Sequence, residues 1–159
     1  MHCYVIIHLQ NLNSFVRINL MPLSFLKKYQ PATFADYDTT DKNIATLKTF
    51  IAMDYLFILI VGNNGSGRST LVNVTIGEYY GTGSVPPNDV LFINNLSDQG
   101  IRYYRNNVKT FCQTSSSIPN KKKTLVIDDI DLINEQSQQV FRNCIDKYSH
   151  NVHFLSSCS

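Results

Sequence analysis

The chain has 159 residues, enough for one domain with a sizeable hydrophobic core. Charged residues make up only 16% against an ordinary 43% apolar content, so Asn, Ser, Thr and Gln must supply much of the polar surface. The formal charge of +2 neither requires nor excludes a nucleic-acid partner. No apolar run approaches the roughly 20 residues of a membrane-spanning helix, and a membrane role of that kind is excluded.

Residues 1–20 begin apolar, but a basic leader is missing and Gln10, Asn11, Asn13, Ser14 and Arg17 interrupt the run. A secretory signal is not expected. The stretch 1–24 reads as an N-terminal extension, either real or a translated upstream segment with Met21 as the functional start. The nucleotide-binding domain is expected over 25–159. Pro31 and the Asp/Thr cluster Asp36–Asp41 mark an ordered loop. Asp41 then stands as a cap for a helix over Lys42–Met53, with Ile44, Leu47 and Ile51 at helical spacing.

Leu56–Val61 is an apolar, β-prone run that stops at a loop with three glycines, Gly62, Gly65 and Gly67. A helix follows over Leu71–Tyr80. Strand, glycine-rich turn and helix N-terminus together are the layout of a phosphate-binding loop. Glycines let the backbone reach φ > 0, so that its N–H groups converge on phosphate oxygens. Asn63, Asn64, Ser66 and Thr70 complete the candidate nucleotide-binding stretch. Ser69 stands where a loop hydroxyl ligates Mg²⁺, and Arg68 precedes it where the motif has Lys. The alternative is a glycine-rich turn with no ligand.

Gly81–Asn88, with Pro86-Pro87, reads as a loop and Val90–Asn94 as a short buried strand. Leu96–Gly100 turns into a helix with Ile101, Tyr104, Val108 and Phe111 on one face. Arg102, Arg105, Asn106 and Lys109 lie elsewhere on it, as a solvated face or a contact for DNA or another partner. Thr124–Ile127 forms a central strand with Asp128, Asp129 and Asp131 at its C-terminal end. In a parallel sheet that end faces the same crevice as the phosphate loop. Asp128 is then a Mg²⁺ ligand, directly or through water, and Asp129 the carboxylate that orients an attacking water. The competing account is an acidic turn with Asp131 as the cap of the next helix. Gln136–Lys147 is that helix, and Asn151–Ser157 a fourth strand.

The four cysteines, Cys3, Cys112, Cys144 and Cys158, form no C-x-x-C pair and suit free thiols in a reducing compartment. His150 and His153 lack a nearby Cys, Asp or Glu to complete a metal site, so a surface turn is expected there.

Read together, these segments resemble the N-terminal ATPase domain of a replication factor C small subunit, an AAA+ sliding-clamp loader. Lys28-Tyr29-Gln30-Pro31 resembles the family's Lys-Tyr-Arg-Pro entry motif. Val61–Thr70 resembles its Gly-Pro-Pro-Gly-Thr-Gly-Lys-Thr-Ser loop, and Ile93–Ile101 its Leu-Asn-Ala-Ser-Asp-x-Arg-Gly-Ile stretch. Ile127–Asp131 stands at the Asp-Glu-Ala-Asp box. Ser137–Asn143 is similar to Ala-Gln-x-Ala-Leu-Arg-Arg, with Lys147-Tyr148-Ser149 following, and Phe154–Ser159 covers the sensor-1 strand. The resemblance runs from about Phe25 to Ser159. It departs at Arg68 for Lys, at Asp129 for Glu and at Ser159 for the sensor-1 Asn. Gln30, Gln99 and Asn143 stand for Arg residues.

The resemblance implies a three-layer αβα P-loop NTPase of AAA+ type with a parallel central sheet. It implies a subunit that binds ATP and Mg²⁺ within a hetero-oligomeric ring of clamp-loader subunits. The ring's further partners are the sliding clamp and primer–template DNA, in the nucleus or another intracellular site of DNA replication. Ser159 would be the sensor-1 catalytic position beside Asp129. The family's Ser-Arg-Cys arginine finger, helical lid and collar are not in the sequence, so hydrolysis by this chain alone is expected to be slow or absent. The alternatives are a structural subunit that no longer binds nucleotide, an unrelated P-loop NTPase, or a truncated remnant.

Overall fold

The structure, a computed structural model, describes residues 5–9, 30–37, 41–81, 85–93, 103–132 and 134–159. The readings of Cys3, Met21, Lys28-Tyr29, the 94–100 turn with Gln99, Ile101 and Arg102 lie outside the described residues.

Strands β1 (Val5–Leu9), β2 (Phe57–Gly62), β3 (Val90–Ile93), β4 (Lys123–Ile127) and β5 (Val152–Cys158) form one sheet in the order β1-β2-β5-β4-β3. Every pairing is parallel. Parallel neighbours need crossovers, and the helices supply them. These are α1 (Asp41–Ala52), α2 (Arg68–Tyr80), α3 (Lys109–Gln113, entered through a π-helical turn Tyr104–Val108) and α4 (Glu135–Tyr148).

Side-chain alternation along the strands builds two cores, one on each face. Ile58, Ile60, Val126 and Leu155 pack with Leu47 of α1 and Leu71, Val74 and Ile76 of α2. Phe57, Leu125, Ile127 and Phe154 pack with Cys112 of α3 and Phe141, Cys144 and Ile145 of α4. A sheet with a helical layer and an apolar core on each side is the three-layer αβα arrangement expected from the sequence.

The element boundaries shift by a few residues. Helix α2 begins at Arg68 rather than Leu71, because Gly67 (φ 86°) is its left-handed N-cap; Ser69 therefore stands in the first turn. Helix α4 is capped by Asn134, whose side chain accepts from Ser137 N at 2.9 Å, not by Asp131. Asp131 lies instead in a 3₁₀ turn over Ile130–Leu132. Val5–Leu9, where the sequence suggests no element, is an edge strand beside β2, with Ile7 buried.

His153 is not in a surface turn. It lies on β5 at 0% exposure, where its Nδ1 accepts from Leu56 N at 3.3 Å. That bond fixes the proton on Nε2, which faces Asp54 Oδ1 at 3.2 Å. Tyr79 donates to the same Asp54 oxygen at 2.7 Å, and Lys122 Nζ lies 3.0 Å from the other. Burial lowers the imidazole pKa to about 4, so the ring is neutral.

A candidate phosphate-binding site

The C-terminal ends of β2 and β4 carry the two candidate motifs and β5 lies between them. From Gly62, the buried last residue of β2, the chain turns through Asn63–Gly67 into α2. Gly65 and Gly67 both adopt φ above +80°, which a Cβ would strain, whereas Gly62 is ordinary strand backbone. No side chain caps α2 and no acid stands in its first turn. Its first N–H groups therefore keep their donor capacity and partial positive charge.

Across the crevice, Ser69 Oγ donates to Asp128 Oδ2 at 2.9 Å. A cavity of about 90 Å³ adjoins this pair, lined by Ser69, Asn73, Asp128, Val72, Phe92 and Val126. A hydroxyl and a carboxylate oxygen are the hard donors that Mg²⁺ takes. Mg²⁺ typically completes its shell with water and phosphate oxygens, so it needs no cluster of protein acids. Among the described residues no group of three His, Cys, Asp or Glu is placed to hold a metal ion by itself.

Arg68 is buried at 8% exposure. Its Nη2 donates to Asn64 Oδ1 at 3.0 Å and lies 3.0 Å from Asp129 Oδ1. Asp129 holds φ 51°, a left-handed angle that costs a non-glycine residue on the order of 1 kcal/mol. Three contacts hold it there: the Arg68 pair, its own N–H donating to Ser157 Oγ at 3.1 Å, and its carbonyl accepting from Leu132 N at 2.9 Å. Arg68 Nη1 and Ser66 Oγ are buried without a hydrogen-bond partner among the described residues. Two orphaned polar atoms in one loop are what a loop made for an absent anion would show.

The geometry thus brings Ser69 to Asp128 and Arg68 to Asp129, with Asn63, Asn64, Gly65 and Thr70 at or near the surface around them. Ser159 Oγ donates to Asp131 Oδ2 at 2.5 Å, holding that carboxyl below the usual range. From β5 it is Ser157, not Ser159, that reaches Asp128, donating to Oδ1 while Ser69 donates to Oδ2. Sequence reasoning missed Ser157, because only the β4–β5 register, with Ile127 opposite Ser156, sets it beside Asp128. It also missed Tyr37, whose hydroxyl donates to Gly67 O at 3.0 Å.

On the face covered by α3 and α4, a groove of about 690 Å³ is lined by Arg105, Lys109 and Lys147 with Gln136, Gln139 and Asn143. Three cations among uncharged amides make this a locally basic surface on a nearly neutral chain.

Known proteins match the same stretch. Over 138 residues, 86% of the chain, the sequence is 28% identical to replication factor C subunit 3 of Schizosaccharomyces pombe, covering 40% of that protein. Replication factor C subunit 5 of Mus musculus is 27% identical over 86% of the chain and 40% of its own length. The replication factor C small subunit of Haloarcula marismortui is 26% identical over 85% of the chain and 41% of its own length. The chain is similar to replication factor C subunits over most of its length. It spans about two-fifths of the length of these relatives. No protein-family model matches the chain. The resemblance read from the motifs holds, and the parallel three-layer sheet agrees with the AAA+ P-loop fold it implied. Among the described residues no helix is long and apolar enough to cross a membrane.

Proposed function

We propose that this chain is an ATP-binding subunit of a DNA sliding-clamp loader, acting at the site of DNA replication, the nucleus in a eukaryotic cell. The observation that carries the reading is the Ser69–Asp128 pair, 2.9 Å apart beside a loop with open backbone donors. Gly62–Thr70 would receive the phosphates, and Ser69 and Asp128 would hold Mg²⁺. When bound, Mg²⁺ neutralises charge on the phosphate oxygens. Hydrolysis by this chain is weak or absent in this reading, because Asp129 is committed to Arg68 and carries one methylene fewer than Glu. Ser159 as a sensor of the reacting nucleotide belongs to the same proposal.

The proposed partners are the other ring subunits, the sliding clamp and primer–template DNA. The basic groove of Arg105, Lys109 and Lys147 supports the DNA contact, since cations beside phosphates release counterions and supply sequence-independent affinity. The test is equilibrium dialysis of labelled ATP with Mg²⁺ against the purified chain, beside Arg68→Ala. Saturable binding that Arg68→Ala abolishes supports the reading; binding by neither protein would sink it.

A second reading has one observation in its favour. The Arg68–Asp129 pair gives the loop cation an internal counterion, as in a structural subunit that no longer binds nucleotide. Wild-type binding of ATP would exclude that reading.

A further inference from the structure

Tyr37 belongs to a loop segment and is nonetheless buried at 8% exposure. The segment is fastened before Tyr37 is reached. Thr33 N and Oγ1 both donate to Asp36 Oδ2, Phe34 is buried, and Phe34 N donates to Glu78 Oε1 of α2 at 3.1 Å. Tyr37 is thereby delivered onto the phosphate loop, where its hydroxyl lies 3.0 Å from Gly67 O and 3.5 Å from Ser66 O. The approach is close enough that a Cβ on Gly67 would come within 2.5 Å of the Tyr37 oxygen.

We infer that Tyr37 is a positioning residue for phosphate binding, a hydroxyl that sets the backbone donors of the loop from behind. In a trans peptide the C=O and N–H point in opposite directions. Drawing the Gly67 carbonyl, which also accepts from Leu71 N at 2.9 Å, and the more distant Ser66 carbonyl toward Tyr37 therefore turns the Arg68 and Gly67 N–H groups away from it. Donors fixed before the anion arrives bind it without a reorganisation cost. Burial pushes the phenol pKa up, so the hydroxyl stays protonated and keeps donating near neutral pH. The inference rests on the nucleotide-binding reading above and adds a residue to it.

The test compares wild type with Tyr37→Phe, which keeps the ring and removes only the hydroxyl. Affinities for Mg–ADP and for inorganic tripolyphosphate are measured, together with amide hydrogen exchange across residues 65–68. The expected result is a loss of about three- to tenfold in both affinities, the scale of one hydrogen bond, with faster exchange confined to the loop. Unchanged affinities or unchanged loop exchange would overturn the proposal. So would a loss for Mg–ADP alone, which would make Tyr37 a contact to base or sugar. If Tyr37→Phe matches a wild type that binds, only the Tyr37 proposal fails. If the wild type binds neither ligand, the nucleotide reading fails and takes the proposal with it.

Discussion

Arg68 and Asp129, two of the positions at which the sequence departs from the clamp-loader pattern, are joined by an ion pair of 3.0 Å. The guanidinium side is buried and the carboxylate side about half exposed, with side-chain exposures of 9% and 44%. The two departures are thus coupled in space, through a single Nη2–Oδ1 contact. On the proposed reading, a phosphate at the loop would compete with Asp129 for the Arg68 guanidinium.

That competition predicts the effect of Asp129→Ala. Removing the carboxylate should tighten Mg–ADP binding by up to about tenfold, or roughly 1.4 kcal/mol, without creating ATPase activity. The use of ADP keeps hydrolysis out of the measurement. Weaker binding in Asp129→Ala would mean that Asp129 supports the site and does not compete with its ligand.

Gly67→Ala meets two obstacles at once, the φ of 86° and the Tyr37 hydroxyl at 2.5 Å from the new Cβ. We expect a stability loss of about 1–3 kcal/mol by urea unfolding and loss of nucleotide binding. Gly65→Ala has φ 81° but open space around the Cβ, and should cost less.

His153 makes stability depend on pH. Its folded pKa of about 4 lies below the reference 6.5, because burial penalises the charged ring. Below about pH 6.5 the unfolded chain takes up a proton that the folded chain refuses. Stability should therefore be full above that pH, fall as pH drops toward 4, and lose up to about 3 kcal/mol on this account. Burial works against the Asp54 carboxylate too. Hydrogen bonds from Tyr79 and Lys122 and the neighbouring His153 nevertheless hold its pKa below the usual range, so Asp54 stays charged through most of this window. His153→Asn should flatten the slope between pH 6.5 and 4 in urea titrations; an unchanged slope would refute the assignment.

The basic groove predicts a salt-dependent DNA contact. Alanine at Arg105, Lys109 or Lys147 should each weaken primer–template binding about equally for any sequence. Each should also reduce the slope of log affinity against log salt by about one. Binding titrations at several salt concentrations would show it, and an unaltered slope would remove the groove from the DNA surface.

Local chemistry was legible in the sequence wherever it determined the structure. The apolar runs that became β2 and β4, the Gly65 and Gly67 turn, and the helices after them carry their signals within a few residues. What was not legible depends on partners far away in the chain. His153 falls in the strand read over 151–157, but its burial and its bonds to Leu56 and Asp54, 97 and 99 positions earlier, follow only from the fold. Ser157 acquires its place beside Asp128 only through strand register. Val5–Leu9 has no turn or cap to announce it, and its pairing with β2 alone makes it a strand. The Arg68–Asp129 pair likewise spans two motifs that sequence reasoning treats separately.

In the proposed function, Ser69 and Asp128 form the metal-dependent part of a working nucleotide site. The most direct measurement is calorimetric titration of ATP into the wild type and Asp128→Ala, each with Mg²⁺ and with EDTA, after circular dichroism has established that both are folded. We predict Mg²⁺-dependent binding by the wild type and a weak, Mg²⁺-independent remainder in Asp128→Ala. Equal affinity in the two proteins, or wild-type binding indifferent to Mg²⁺, would contradict the account.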